Sequence, residues 1–91
     1  MGAQKTLEGA QKTLEQARAG SRNLRFSDVT GLVEALGFRL ARVNGSHHIF
    51  VHPSVQELVN LQSVQGRCKP YQVKQVVDLI DRYNLRLEVD R

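Results

Sequence analysis

Gly45-Ser46 and Pro53-Ser54 bracket six residues, His47-His48-Ile49-Phe50-Val51-His52. Asn44-Gly45 is the strongest hairpin signal a sequence can carry, and proline cannot donate to a sheet ladder. The interval therefore has room for one short strand and no helix. Its β-branched and aromatic centre, Ile49-Phe50-Val51, agrees. The same strand holds all three histidines of the protein. Imidazole is the side chain that both takes and gives a proton near neutrality, so any proton-transfer chemistry is expected here.

The flanks complete an α+β pattern. Ser27 reads as a helix N-cap with Asp28 in the first turn, and Val29, Leu32, Val33 and Leu36 then recur as one apolar face. Gly37 reads as the stop. Residues 38–43 form a strand that turns at Asn44-Gly45 into the histidine strand. After Pro53-Ser54, residues 57–62 read as a third strand and residues 62–68 as a loop. Pro70 opens a last helix whose buried face is Val73, Val76, Val77, Ile80 and Tyr83, with Asn84 as its left-handed end. Leu85, Leu87 and Val89 alternate with Arg86, Glu88 and Asp90, as an edge strand would. The order α-β-β-β-α predicts a three-stranded antiparallel sheet with both helices on one face and the other face open.

Ahead of this domain stands a duplication: residues 2–8 are repeated as residues 9–15. Ala3, Leu7, Ala10, Leu14 and Ala17 make a thin heptad seam, too short for an independent coiled coil. The division expected is a weakly helical extension, residues 1–21, and a domain over residues 22–91. Weak self-association would run through the extension.

Within the histidine strand, neighbours face opposite ways. His48, Phe50 and His52 share one side; His47, Ile49 and Val51 share the other. Spacing alone leaves open which side is buried. His48 and His52 lie about 13 Å apart by strand rise, too far to hold one metal ion without a bend. The lone Cys68 adds no second ligand, so neither a metal nor another cofactor is predicted.

The chain has 91 residues and a net charge of +4, with pI near 9.7. Such a chain has no room for a deep cavity, and its charge favours a large polyanion. Arg39, Arg42, Arg67, Lys69 and Lys74 face only Glu57 between residues 39 and 74, which concentrates the positive charge around the histidine strand. Neither a signal-peptide core nor a stretch of membrane-spanning length is present, so a cytoplasmic protein is expected.

Leu36-Gly37-Phe38, Gly45-Ser46-His47-His48-Ile49-Phe50-Val51-His52-Pro53, and the helix beginning Lys69-Pro70-Tyr71 resemble the HicA (YcfA-like) toxins, small mRNA interferases of bacterial toxin–antitoxin pairs. The resemblance covers roughly residues 26–85. It implies a double-stranded-RNA-binding-like fold, metal-independent mRNA cleavage with His47 as catalytic residue, and a HicB-like antitoxin that covers the site. The residue types fit: imidazole takes a ribose 2′-OH proton, glycine at 45 admits a phosphate closely, Ser46 donates to it, and Arg67, Lys69 and Lys74 meet its charge. In two places the chain departs from that family. Members often carry proline and histidine after the third strand, where this chain has Leu61-Gln62-Ser63-Val64-Gln65, and the duplicated extension lies outside the pattern. A non-catalytic module that binds RNA or protein is the competing expectation.

Overall fold

In the computed structural model, which describes residues 7–88, helices α1 (Leu7–Arg18) and α2 (Phe26–Ala35) precede four strands and a final helix. The strands are β1 (Arg39–Asn44), β2 (His47–His52), β3 (Val55–Val64) and β4 (Arg67–Cys68), followed by α3 (Pro70–Tyr83). They pair antiparallel in the order β1-β2-β3-β4. The three long strands and the order α-β-β-β-α are those the sequence predicts.

The turns differ in detail. Asn44 pairs with His47, so Gly45 and Ser46 are the two loop residues, one position later than an Asn-Gly turn. Only Gly45 has a positive φ, of 60°, as glycine at the first position of a type II′ turn requires. The segment read as a loop after residue 62 is a second tight hairpin. Gln65 (φ 53°) and Gly66 (φ 79°) are both left-handed, the type I′ signature, and they return β4 onto Ser63 and Val64. Glutamine is a rare occupant of that conformation, which hid the turn.

Helix ends are set by backbone more than by side chains. α2 starts just before the expected Ser27 cap, with Arg25 as an extended N-cap that makes no side-chain capping bond. The Phe26 N–H donates instead to the Gly66 carbonyl at 2.9 Å, a tertiary bond in place of a local one. At the other end Gly37 adopts φ 101°, and its N–H and that of Phe38 close back on Glu34 and Val33, a Schellman motif. Pro70 opens α3 and left-handed Asn84 closes it, as predicted. Residues 85–88 form no strand. Leu85 and Leu87 rest on the core, and the Glu88 N–H donates to the Ala35 carbonyl at 2.6 Å. Val89, Asp90 and Arg91 of the predicted alternation, and residues 2–6 of the first repeat, lie outside the described residues.

The core packs Val29, Leu32, Val33 and Leu36 of α2 and Val73, Val76, Leu79 and Ile80 of α3 onto Phe50, Val59 and Leu61 of the sheet. Leu79 takes the place expected for Val77, which is half-buried. Buried Cys68 joins this cluster, and burial pushes its thiol up to about 11.

A seam as thin as that of the duplicated segment predicts a frayed helix. Instead Ala10 and Thr13 of α1 are buried, with Leu14 and Ala17 packed beside the core, while Leu7 stays exposed. Small side chains let α1 sit close on its neighbours, and this packing stabilises a helix that propensity alone would not. Ala10, Leu14 and Ala17 of the seam are therefore covered within the chain, and Ala3 lies outside the described residues.

One sheet edge is sealed. Beyond β4, residues 24–26 bond to 66–68, and α3 covers the rest of β3. Gln72 Oε1 accepts the Gln62 N–H at 2.9 Å, Gln75 Nε2 donates to the Leu58 carbonyl at 3.3 Å, and Tyr83 Oη accepts the Gln56 N–H at 3.5 Å. Gln72 is buried to 4% exposure. Gln72→Leu strands the Gln62 N–H without a partner and is expected to cost about 1–3 kcal/mol, read as a lowered urea midpoint at unchanged slope.

Two carboxylates, exposed Asp81 and half-buried Glu57, tie stability to acid. A hydrogen bond from Arg18 holds Asp81 below the usual carboxylate range, and the Tyr83 hydroxyl, with Arg82 beside it, does the same for Glu57. The folded protein thus binds these protons less readily than the unfolded chain. Their contribution is present above the ordinary carboxylate pKa, about 4, and is lost as pH falls through the depressed values. Urea midpoints are expected to drop on acidification below about pH 4, and to drop less in Tyr83→Phe.

Candidate active site

Register decides what β2 presents to each side. Phe50 pairs with Val59, His48 with Leu61 and His52 with Val55, so these face the helices. His48 stacks edge-on against Phe26 at 4.8 Å, and His52 against Phe38 at 5.0 Å. The His52 ring is held at both nitrogens: Nε2–H donates to the Leu36 carbonyl at 3.1 Å, and Nδ1 accepts the Ser54 N–H at 2.9 Å. Two of the three histidines are thus committed to packing.

His47 is the third, and it stands on the uncovered face. It pairs with Asn44 on one side and Gln62 on the other. Its Nδ1 lies 3.2 Å from Asn60 Oδ1, one residue pair along β3 on the same face. The loop beside it is tied down: Ser46 Oγ accepts from Gln62 Nε2 at 3.3 Å, and the Ser46 carbonyl accepts the Ser63 N–H at 3.2 Å. Gly45 is open on its outer side, with nothing near a would-be Cβ.

The cations predicted for this site separate. Arg67 pairs with Val64, which puts it on the His47 face at the far edge, with Nε donating to Asn23 Oδ1 at 3.0 Å. Lys69 precedes α3, its Nζ 5.9 Å from the centre of the exposed Tyr71 ring. Lys74 lies elsewhere, in a groove formed with Arg18, Arg22 and Pro70, where its Nζ is 3.6 Å from Asp78. Helical spacing took it around α3, away from the sheet's open face.

Arg39 and Arg42, not named among the site residues from sequence, do share the face. Arg42 pairs with Ile49 and Arg39 with Val51, the next two residues after His47 on that side of β2. Strict alternation would put residues three apart on opposite faces. A register shift between Leu40 and Arg42 brings them to the same one. No composition signal announces such a bulge. Asn60 was missed for a related reason, since its partner is fixed by pairing between strands.

Two helices thus cover one side of an antiparallel sheet, and the bare side presents one histidine between arginines of both outer strands. The bare face of this small α+β fold is basic, with Arg39, Arg42 and Arg67 on it. Residues 26–81 match the family model described as "HicA toxin of bacterial toxin-antitoxin". That is more than half of the chain, and the chain belongs to this family, the toxin halves of bacterial toxin–antitoxin pairs. No curated protein and no solved structure gives a significant match. α1 and residues 82–91 lie outside the matched span.

Proposed function

We propose that this toxin is a metal-independent endoribonuclease that cuts mRNA in the cytoplasm with His47 as general base. The observation that carries the reading is the placement of His47: the one described histidine on the open face, with Arg42 one step along that face, opposite Ile49, and Arg39 further out, opposite Val51. His47 takes the proton of a ribose 2′-OH. The oxygen attacks the adjacent phosphorus, the bond from phosphorus to the 5′-oxygen breaks, and a 2′,3′-cyclic phosphate and a 5′-hydroxyl form. Water protonates the departing oxygen, because β3 supplies no second histidine. Arg42 meets the charge that develops on the phosphate, Gly45 and Ser46 lie against the backbone, and Arg39, Arg67 and Lys69 extend the track.

Residues 22–91 form the nuclease domain, and residues 1–21 are an addition to it, of which α1 packs beside the core. A HicB-like antitoxin, acidic or matched in shape, silences the enzyme by covering the His47 face. Because the nucleophile is the 2′-OH, purified protein in excess chelator should cut RNA to products ending in cyclic phosphate and leave DNA of the same sequence whole. If RNA is bound and never cut, the binding module remains, a reading favoured by the absence of histidine from Leu61-Gln62-Ser63-Val64-Gln65. Cutting of DNA at a comparable rate would refute the 2′-OH route.

A further inference from the structure

We infer that Asn60 is the positioning residue of this site: it fixes the His47 ring with the proton on Nδ1, so that Nε2 carries the lone pair toward substrate. The inference rests on the general-base role proposed for His47. A carbonyl oxygen accepts hydrogen bonds and never donates one, so the 3.2 Å contact to Asn60 Oδ1 requires a proton on Nδ1. A neutral ring has only one such proton, which leaves Nε2 as the acceptor. Free imidazole side chains prefer the opposite tautomer. Without this partner most of the neutral rings would present N–H at the position where a base is needed.

Two further observations support a chemical role. Asparagine is a poor strand former, yet Asn60 sits mid-strand between fully buried Val59 and Leu61. Local rules broken in this way mark functional positions. The strand around it is also braced: Gln62 and Leu58, two residues to either side, are the ones whose backbones bond to Gln72 and Gln75. Asn60 itself is exposed, so its side chain adds little to stability. Its amide orients the ring without adding charge. When Nε2 takes the 2′-OH proton, the Nδ1–H bond to Asn60 persists and the ring cannot turn away.

The test reads the tautomer directly. In full-length ¹⁵N-labelled protein, at a pH where the ring is neutral, two-bond ¹H–¹⁵N correlation of His47 should show Nε2 unprotonated. In Asn60→Ala it should show predominant protonation of Nε2. On RNA, Asn60→Ala should lose about ten- to a hundredfold in kcat with KM nearly unchanged, and Asn60→Asp should restore both tautomer and rate. Protonated Nε2 in the wild type, or an unchanged tautomer or rate in Asn60→Ala, overturns the Asn60 inference while a cutting enzyme stands. The NMR experiment needs no RNA. A protein with the inferred tautomer that never cuts RNA therefore refutes the general base, and the positioning role with it.

Discussion

His47→Ala is expected to bind RNA nearly as well as the wild type and to leave it whole. Removing a positioned general base costs about 10²–10⁴ in rate. The fold should survive, because His47 is half-buried on the uncovered face and contributes nothing to the packed core. Affinity should survive because it comes mainly from cations on phosphate, whose binding weakens steeply with salt. Filter binding and product analysis on one RNA separate the two properties. In cells, induced wild type should arrest growth with loss of mRNA, and His47→Ala should do neither. A variant that still cuts at a tenth of the wild-type rate or better would remove His47 from the chemistry. His48→Ala and His52→Ala are the informative controls. Each removes a ring packed against a phenylalanine, so each should lower stability rather than act on the cleavage step alone.

Gly37→Ala is expected to cost about 2–4 kcal/mol of stability, the sum of left-handed strain and overpacking. At φ 101° any side chain is strained. The added Cβ would also stand 2.8 Å from Glu88 Oε2 and 2.9 Å from His52 Nε2. The exposed Glu88 side chain can swing aside. His52 cannot do so freely, since Leu36 and Ser54 hold both its nitrogens. The strain therefore passes into the end of β2, on the strand that carries His47. Urea unfolding should show the loss directly. A midpoint equal to that of the wild type would mean that the Leu36–Gly37 corner and His52 move together at little cost.

What could be read from the sequence was local. Gly37, Pro70 and Asn84 punctuate helices through their own backbone preferences, and the periodicity of Val29, Leu32, Val33 and Leu36 is a property of one segment. The Gly-Ser corner and Pro53 confine β2 in the same way. What stayed hidden depends on partners distant in the chain. Gln72 and Gln75 carry no sequence signal for the contacts by which they close the edge of β3. The thin seam of α1 read as weak, although small residues are what allow close packing. The arginines of the site were obscured by one bulge, and Asn60 by a strand register that no single segment encodes.

The two edges of the sheet have unequal fates when copies of the protein crowd together. β1 is exposed along all its residues and has no strand on its outer side among the described residues, while Gln72, Gln75, Tyr83 and residues 24–26 close the opposite edge. A foreign strand can therefore add once, on β1. A second copy joined there through its own β1 would present only closed edges to a third. Edge-to-edge growth ends at a pair, which protects the chain from ordered polymerisation without a proline in the interior of its longest strand.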